Sequence, residues 1–464
     1  MVSNFPFSTR TSVAQDPRAQ FKQWLESGEA RLQPVSFPQR ELWENSPVPV
    51  ADPANHICGF IEIKGPLTPE QCEAALQRVI ERQEALRISF LPGKERPLQM
   101  IRATGTAVLG VRELAPGDLL EDVMQETFRQ PFDLLQGPLN RVDMIQRGHN
   151  DHLLAFAFHH SIADGWSLGV FVQDLCTAYV MGLTGLRKAV AVGMIGLKNT
   201  LPPVAQTYTE WAAAERAIWH PAELAKRADF WKSQLAGSSR MWGDVPVATA
   251  LQRWVTAIPA DLVRGVKALT MSHGTTLFST LLAAFQLTLS KWTGKHDILV
   301  GTPVANRNKE AVRETMGYFA GIIPLRGQID PSQTFSNHLR TVSESALDAF
   351  ANAMPFAELA AALGAPPPSG AHAIFDVRFA LQNHPVPDVV LPRISTKLRM
   401  RSTGTARFDL ACELTEVANE LEVVWLFKPY RFTTLEIASL HDLFMAVLTA
   451  VSKNPATRVA DLTI

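Results

Sequence analysis

The 464-residue chain reads as an α/β protein built from two related lobes, and three observations predict this. At ~150 residues per domain, the length allows two or three units, each able to bury a core. Helix-like and strand-like patterns mix in both halves, with elements of similar length. Between Gly182 and Gln206 the pattern loosens into three Gly-Leu pairs and then Asn199-Thr200-Leu201-Pro202-Pro203, a composition that suits a connection. The expected lobes are therefore residues 1–190 and 191–464.

The first thirty residues read as a loosely structured lead-in. A helix follows at Thr68–Leu86: Thr68 suits the N-cap, Pro69 the first helical position, and Gln71 completes a capping box. Cys72, Ala75, Leu76, Val79 and Ile80 recur at helical spacing and mark its buried face. A strand and a helix near Leu119–Arg129 come next. Leu139–Gln146 and Leu153–Phe158 read as strands. The second, LLAFAF, is uninterrupted apolar, as a strand covered on both faces would be. A helix at Ser167–Met181 closes the first lobe.

The second lobe restarts with helices at Tyr208–Ile218 and Pro221–Leu235. A strand at Gln252–Ile258 precedes a helix from Pro259, and a long buried helix spans Thr276–Trp292. The strand Asp297–Val304 leads into a loop containing Asn306 and Arg307. A helix at Phe335–Ala351, strands at Ala373–Leu381 and within Phe408–Phe427, and a helix at Thr434–Ser452 complete the order.

Composition narrows the function. Hydrophobic residues are 46% and charged residues 19%, which excludes disorder as the main state. With 44 Lys+Arg against 45 Asp+Glu, bulk electrostatic binding to nucleic acid or an anionic membrane is not expected. Cys58, Cys72, Cys176 and Cys412 are too few and too scattered for a disulfide framework, and no two make a C-x-x-C pair. The first twenty residues hold no apolar leader-like core. The uncharged run Ala268–Ser290 reaches membrane length, but His273, Gly274 and Gln286 interrupt it, so a buried helix is the reading. A cytoplasmic, monomeric protein is expected.

The most distinctive local sequence is His159-His160-Ser161-Ile162-Ala163-Asp164-Gly165-Trp166-Ser167, set between the apolar strand and a helix. A neutral imidazole there can accept a proton from, or orient, an attacking amine or hydroxyl near neutral pH. Gly165 leaves room for substrate beside the backbone, and amides at a helix entrance can face a developing oxyanion. Three plainer readings compete. The histidines could be hydrogen-bonded core residues. His160 and Asp164 could ligate a metal, although the motif supplies no third ligand. Asp164 could be purely structural, paired with a buried arginine. Gly165-Trp166-Ser167-Leu168-Gly169 also matches a G-x-S-x-G elbow formally. An elbow serine sits directly after the strand, however, and here the histidines fill that turn.

These residues resemble a known family. HHSIADG is similar to the HHxxxDG signature of condensation domains of nonribosomal peptide synthetases, in the superfamily of chloramphenicol acetyltransferase. Other family-like blocks follow in order over nearly the whole chain: Ser36–Trp43, Arg82–Arg87, Phe132-Asp133-Leu134, Tyr208–Ala212, Gly301–Arg307, Met316–Phe319, Met354-Pro355-Phe356 and Arg407–Leu410. The chain departs from the pattern at Gln83 and Ala351, where histidine is usual, and at Gly321-Ile322, where Asn-Thr is usual.

The resemblance implies two acetyltransferase-like lobes in a V-shaped pseudo-dimer with a central tunnel. His160 would be the general base or would position the nucleophile, with His159 supporting it and Gly165 lining the donor's approach. Asp164 would hold the loop through an arginine, with Arg82 and Arg87 as candidates. Trp166, Ser167, Gly321 and Ile322 would line the tunnel, and the departures at the last two leave the acceptor open between amine and hydroxyl. The resemblance further implies acyl transfer from the phosphopantetheine arm of an acyl or peptidyl carrier protein to a second carrier-bound substrate or a soluble molecule. No permanently bound cofactor or metal is implied. No carrier attachment site, adenylating segment or thioesterase elbow is evident, and the start at Met1 and the end soon after the last helix suit either a discrete enzyme or a domain excised from a larger synthetase. The rivals are an acyl-CoA-dependent acyltransferase making a lipid ester and a non-catalytic recruitment platform. Trp43, Trp211 and Phe356 are expected to be packing residues; Asp133, Arg141, Arg307 and Asp409 are expected to anchor loops or form structural ion pairs.

Overall fold

The computed structural model describes residues 17–46, 49–94, 96–194, 198–242, 250–365, 374–382, 390–391, 394–401 and 408–462. Of the positions used above, residues 1–16, Gly196-Leu197, Ala373 and Arg407 lie outside the described residues.

The lead-in is more ordered than expected. Helix α1 (Pro17–Glu26) places Phe21, Trp24 and Leu25 at helical spacing, and Phe21 is buried with Ala30 and Met100. Strand β1 (Ala30–Pro34) follows. Helix α2 (Phe37–Glu44) starts at a capping box, in which Ser36 Oγ accepts from the Gln39 amide and Gln39 Oε1 accepts from the Ser36 amide. Next come β2 (His56–Lys64) and α3 (Pro69–Arg82), capped by Thr68 and Gln71 as the sequence predicts. The α3 helix stops short of Leu86 because Gln83 is extended and Glu84–Arg87 form a single 3-10 turn. Strands β3 (Ile88–Leu91), β4 (Leu98–Arg102) and β5 (Leu109–Glu113), helix α4 (Leu120–Arg129), strands β6 (Asn140–Gly148) and β7 (Asp151–His159), and helices α5 (Gly165–Gly182) and α6 (Gly185–Ala189) complete the first half.

The second half runs α7 (Tyr208–Ile218), α8 (Pro221–Gln234), β8 (Gln252–Ile258), α9 (Ala260–Ser272), α10 (Leu277–Thr293), β9 (Asp297–Val304) and β10 (Gly321–Gln328). It continues through α11 (Phe335–Ala351), α12 (Phe356–Ala362), β11 (Val377–Gln382), β12 (Val390–Leu391), β13 (Ile394–Arg401), β14 (Leu410–Val417), β15 (Glu420–Phe427) and α13 (Thr434–Lys453). The α7 and β8 boundaries match the sequence reading. The α10 helix ends at Gly294, whose φ of 72° closes it in the left-handed conformation that a glycine adopts without strain.

Two six-stranded mixed sheets carry the lobes. The first is ordered β12-β13-β2-β7-β6-β5 and the second β10-β9-β11-β14-β15-β8. In the first, β7 is central and buried from His152 to His159, as its uninterrupted apolar run requires. Phe171 of α5 packs on it, 5.2 Å from Phe156 and 5.0 Å from Phe158 between ring centroids. In the second, Phe285 of α10 stacks on Phe379 of β11 at 4.8 Å and meets Phe444 of α13 at 5.8 Å. The α13 helix is long and apolar enough to cross a membrane, but Ile437, Leu440, Phe444, Val447, Leu448 and Val451 are buried in the core of this lobe.

Two strands from the second half of the sequence, β12 and β13, join the first sheet. β13 lies far along the second half of the sequence yet pairs antiparallel with β2, from Ser395 opposite Lys64 to Arg401 opposite Cys58. The lobes are thus two sheets, but a cut near residue 190 does not separate their strands.

Candidate active site

The site grows out of the end of β7. The His159 amide donates to Leu139 O (2.9 Å), which keeps it in register with the neighbouring segment; the His160 amide donates to Asn55 O (2.6 Å). The chain then turns tightly, with the Ile162 amide donating to His159 O (3.0 Å), and Gln39 Nε2 donates to Ser161 O (2.9 Å). The α5 helix starts at Gly165, with Asp164 as its N-cap. Backbone bonds therefore fix the turn on both sides.

The two histidines have different fates. His159 is fully buried. Its Nε2 lies 2.8 Å from Val50 O, which can only accept, so Nε2 carries the proton. Its Nδ1 accepts from the Ser161 amide (3.2 Å) and lies 2.6 Å from Ser161 Oγ. A neutral ring with both nitrogens engaged has no lone pair to offer a substrate, so His159 is a framework residue rather than a catalytic one. His160 is half-buried, and its ring packs against Tyr318 of the second lobe, 4.4 Å between centroids and tilted by 60°. Its imidazole thus sits where the lobes meet.

Asp164 is the polar centre of that meeting. It is 2% exposed. Its Oδ1 accepts from the Ser167 amide (2.9 Å), Ser167 Oγ (2.8 Å) and Arg307 Nη2 (3.0 Å), and its Oδ2 accepts from the Phe319 amide (3.1 Å). Burial alone would raise this carboxyl's pKa; the Arg307 guanidinium and the Ser167 bonds outweigh it and hold the group below the usual carboxylate range. Arg307 also donates to Val312 O and Thr315 O (2.7 and 2.6 Å) and lies 3.9 Å over the Phe319 ring. With both carboxylate oxygens committed, Asp164 does not join His160 as a metal ligand.

The arginine that holds Asp164 is therefore Arg307, not Arg82 or Arg87. Arg82 makes a two-pronged contact with Asp174 of α5 and pairs with Glu314. Arg87 donates to the carbonyls of Ile80, Arg102 and Ala103. Arg82 thus ties α3 and α5 to Glu314 of the second half, and Arg87 braces the first lobe; neither contacts Asp164. Gln83 joins the same frame, donating to Asp174 Oδ2 and Glu314 O and accepting from the Met316 amide.

Ser167 does not open into a tunnel. Ser167 is fully buried, and its Oγ also accepts from the Gly317 amide (3.1 Å) and Arg307 Nη2 (3.0 Å) while lying 2.9 Å from Gly317 O. Such a hydroxyl cannot attack a substrate. The Trp166 indole donates to Arg313 O at 2.9 Å. Gly165 is half-buried at the helix entrance. Gly321 and Ile322 line a cavity of about 40 Å³ between α2, α7, β9, β10 and the start of α12, together with Asn306, Met354 and Phe356.

The remaining expectations concern support. Trp211 is buried and stacks on Tyr208 (5.6 Å), whose hydroxyl donates to Tyr318 O (2.8 Å) and meets Ser36 Oγ (2.7 Å). Asp133 accepts from the Leu135 and Gln136 amides, Arg141 donates to Thr127 O and Gln130 O, and Asp409 pairs with Lys428 and Arg431. Burial pushes the Cys72 and Cys176 thiols up to about 12, which keeps both protonated and unreactive. Sequence reasoning does not single out Tyr318 and Gly317, although both lie in the family-like block Met316–Phe319. Their partners are some 150 residues away, and no local pattern links them.

Comparison with known proteins agrees with this geometry. Residues 29–464 match the family model described as Condensation domain. A linear gramicidin synthase of Brevibacillus parabrevis is 30% identical over 441 residues, covering 91% of this chain and 8% of that protein. Malpibaldin synthetase of Mortierella alpina is 27% identical over 470 residues, 97% of this chain and 8% of that protein. The chain thus spans less than a tenth of either relative. Among solved structures, the X-domain from teicoplanin biosynthesis superposes with a TM-score of 0.79 at 21% identity, covering 93% of this chain and 97% of that one. The condensation domain from Monacolin K polyketide synthase MokA does so with a TM-score of 0.77 at 17% identity, covering 93% and 99%. These two likenesses establish the two-lobed acetyltransferase-like fold.

Proposed function

Because this chain belongs to the condensation-domain family of nonribosomal peptide synthesis, we propose that it transfers an acyl group from a carrier-protein pantetheine thioester to an amine or hydroxyl acceptor. The observation that carries this is the position of His160: half-buried, held by its backbone on a rigid turn, and set against Tyr318 where the lobes meet. The thioester is already activated, so the protein's task is to hold two reactants together, accept a proton and exclude water. The acceptor N–H or O–H adds to the thioester carbonyl as His160 takes its proton. The C–S bond then breaks, and the proton passes to the leaving thiolate. The products are an amide or ester and a free pantetheine thiol. No enzyme-bound acyl intermediate is needed, which accords with the engaged hydroxyl of Ser167. The acceptor is carried by a second carrier protein or is a soluble small molecule.

The test is intact-protein mass spectrometry of an acyl-loaded carrier mixed with the enzyme and a panel of soluble amines and alcohols. The expected result is acyl loss from the carrier with amide or ester formation, and His160→Ala lowers turnover by about 10²–10⁴-fold at an unchanged melting temperature. Undiminished transfer by His160→Ala would overturn the role of His160. Transfer from acyl-CoA but not from acyl-carrier would move the donor to a soluble thioester.

A further inference from the structure

The cavity of about 40 Å³ beside Gly321 contains a carboxyl that the reaction above does not use. Glu215 of α7 faces it, and Glu215 Oε2 is buried with no hydrogen-bond partner, while the Trp219 side chain donates to the same carboxyl. Glu41 of α2 lines the same space. Arg216 lowers the Glu215 carboxyl's pKa through its charge, but no cation is hydrogen-bonded to Oε2. Arg216 of α7 donates to Pro34 O and Val35 O, and Arg40 of α2 pairs with Glu44 and Glu358. A buried carboxyl oxygen with nothing to accept from is costly unless something supplies the donor. A water needs only about 10–15 Å³ of such space, so the cavity has room for one ammonium group and a bridging water.

The cavity adjoins the segment that meets the catalytic histidine. Tyr318, whose ring packs on His160, precedes the cavity residue Gly321 by three positions. We propose that the cavity receives a cationic nitrogen of the acceptor substrate, with Glu215 as its carboxylate partner. The acceptor is then an amine or alcohol that carries a second, protonated nitrogen apart from its nucleophile. This rests on the acyl-transfer reading. Burial pushes the Glu215 carboxyl up to about 8 when no cation is bound. Arrival of an ammonium group favours the ionised form, so binding near neutral pH releases a proton to solvent.

The test is isothermal titration calorimetry of the unloaded enzyme at pH 7 with 5-aminopentan-1-ol and with pentan-1-ol, which lacks the cationic nitrogen. Each is run in two buffers of different ionisation enthalpy, so that released protons are counted. The amino alcohol is expected to bind at least tenfold more tightly than the alcohol, with release of up to one proton. Glu215→Gln is expected to remove both the preference and the proton release. Equal affinities for the two alcohols in the wild type, or a preference that survives in Glu215→Gln, would overturn the proposal. Transfer assays keep the two readings apart. Amide or ester formation without a preference for the amino alcohol sinks only the cavity assignment, whereas Glu215-dependent binding of the amino alcohol without any transfer sinks only the reaction.

Discussion

Arg307→Met tests the latch between the lobes. The arginine is 5% exposed and its partner Asp164 2%, so solvent screening offers the carboxylate little relief once the guanidinium is gone. Breaking one half of a buried pair costs about 3–5 kcal/mol. The carboxylate keeps its bonds from the Ser167 amide, Ser167 Oγ and the Phe319 amide, which favours the low end. Against this, Val312 O and Thr315 O lose their donor, adding about 1 kcal/mol. A total near 4 kcal/mol, divided by an unfolding entropy of about 2.1 cal/mol/K per residue over 464 residues, lowers the melting temperature by roughly 4 °C. Circular dichroism melts at several pH values read this directly. The sign of the pH effect follows from linkage. In the wild type the folded pKa of Asp164 is depressed, so its stabilisation is present above the unfolded value of about 3.9 and is lost as pH falls through the lower folded value. In Arg307→Met, the guanidinium charge is gone and burial is countered only by the remaining hydrogen bonds, so that pKa moves up from its wild-type value and protonation relieves the variant as pH falls. The gap between variant and wild type therefore narrows from pH 7 towards pH 4.5. Asp164→Asn in the same chain should recover at least half of the loss. A variant that melts within 2 °C of wild type, or a double variant that is worse by the sum of the two, would refute the latch.

Two further substitutions separate framework from chemistry. Ser167→Ala should cost about 1–3 kcal/mol in denaturant unfolding by stranding its buried partners, while turnover falls less than tenfold; a thousandfold loss at unchanged stability would restore a nucleophilic serine. Gly317→Ala would set a Cβ 2.2 Å from Tyr208 Cδ2. That ring is pinned by its hydroxyl bonds, so a loss of about 1–3 kcal/mol is expected, and a melt unchanged from wild type would show that the ring can move.

Much of the architecture is legible because it is locally written. The α3 cap, the doubly covered β7 and the α7 and β8 boundaries follow from spacing and capping chemistry alone. The motif is legible as a strand–turn–helix. Three things are not. Strand β10 contains Pro324, which reads as a break; it is tolerated because β10 is a sheet edge and, among the described strands, pairs only with β9. Strand β13 has no signal naming its partner, since its ladder closes onto β2 across more than three hundred residues. The partner of Asp164 is expected at Arg82 or Arg87 from the family resemblance, whereas burial selects Arg307, 143 positions away. Likewise the inertness of His159 depends on Val50 O, 109 positions earlier, which periodicity does not encode.

The crossing strands have a consequence for motion and for dissection. Any breathing of the V must either fan about the β13–β2 ladder as a hinge line or tear it, so opening is expected to be smallest beside β2 and largest at the far rim. A gene cut at the loose connection would leave the first fragment with β2, nine residues long, as a bare sheet edge that invites pairing with other chains. The second fragment would keep the β12–β13 pair with no sheet to join. The halves are successive in the gene but interleaved in space, so each holds a piece the other needs to fold.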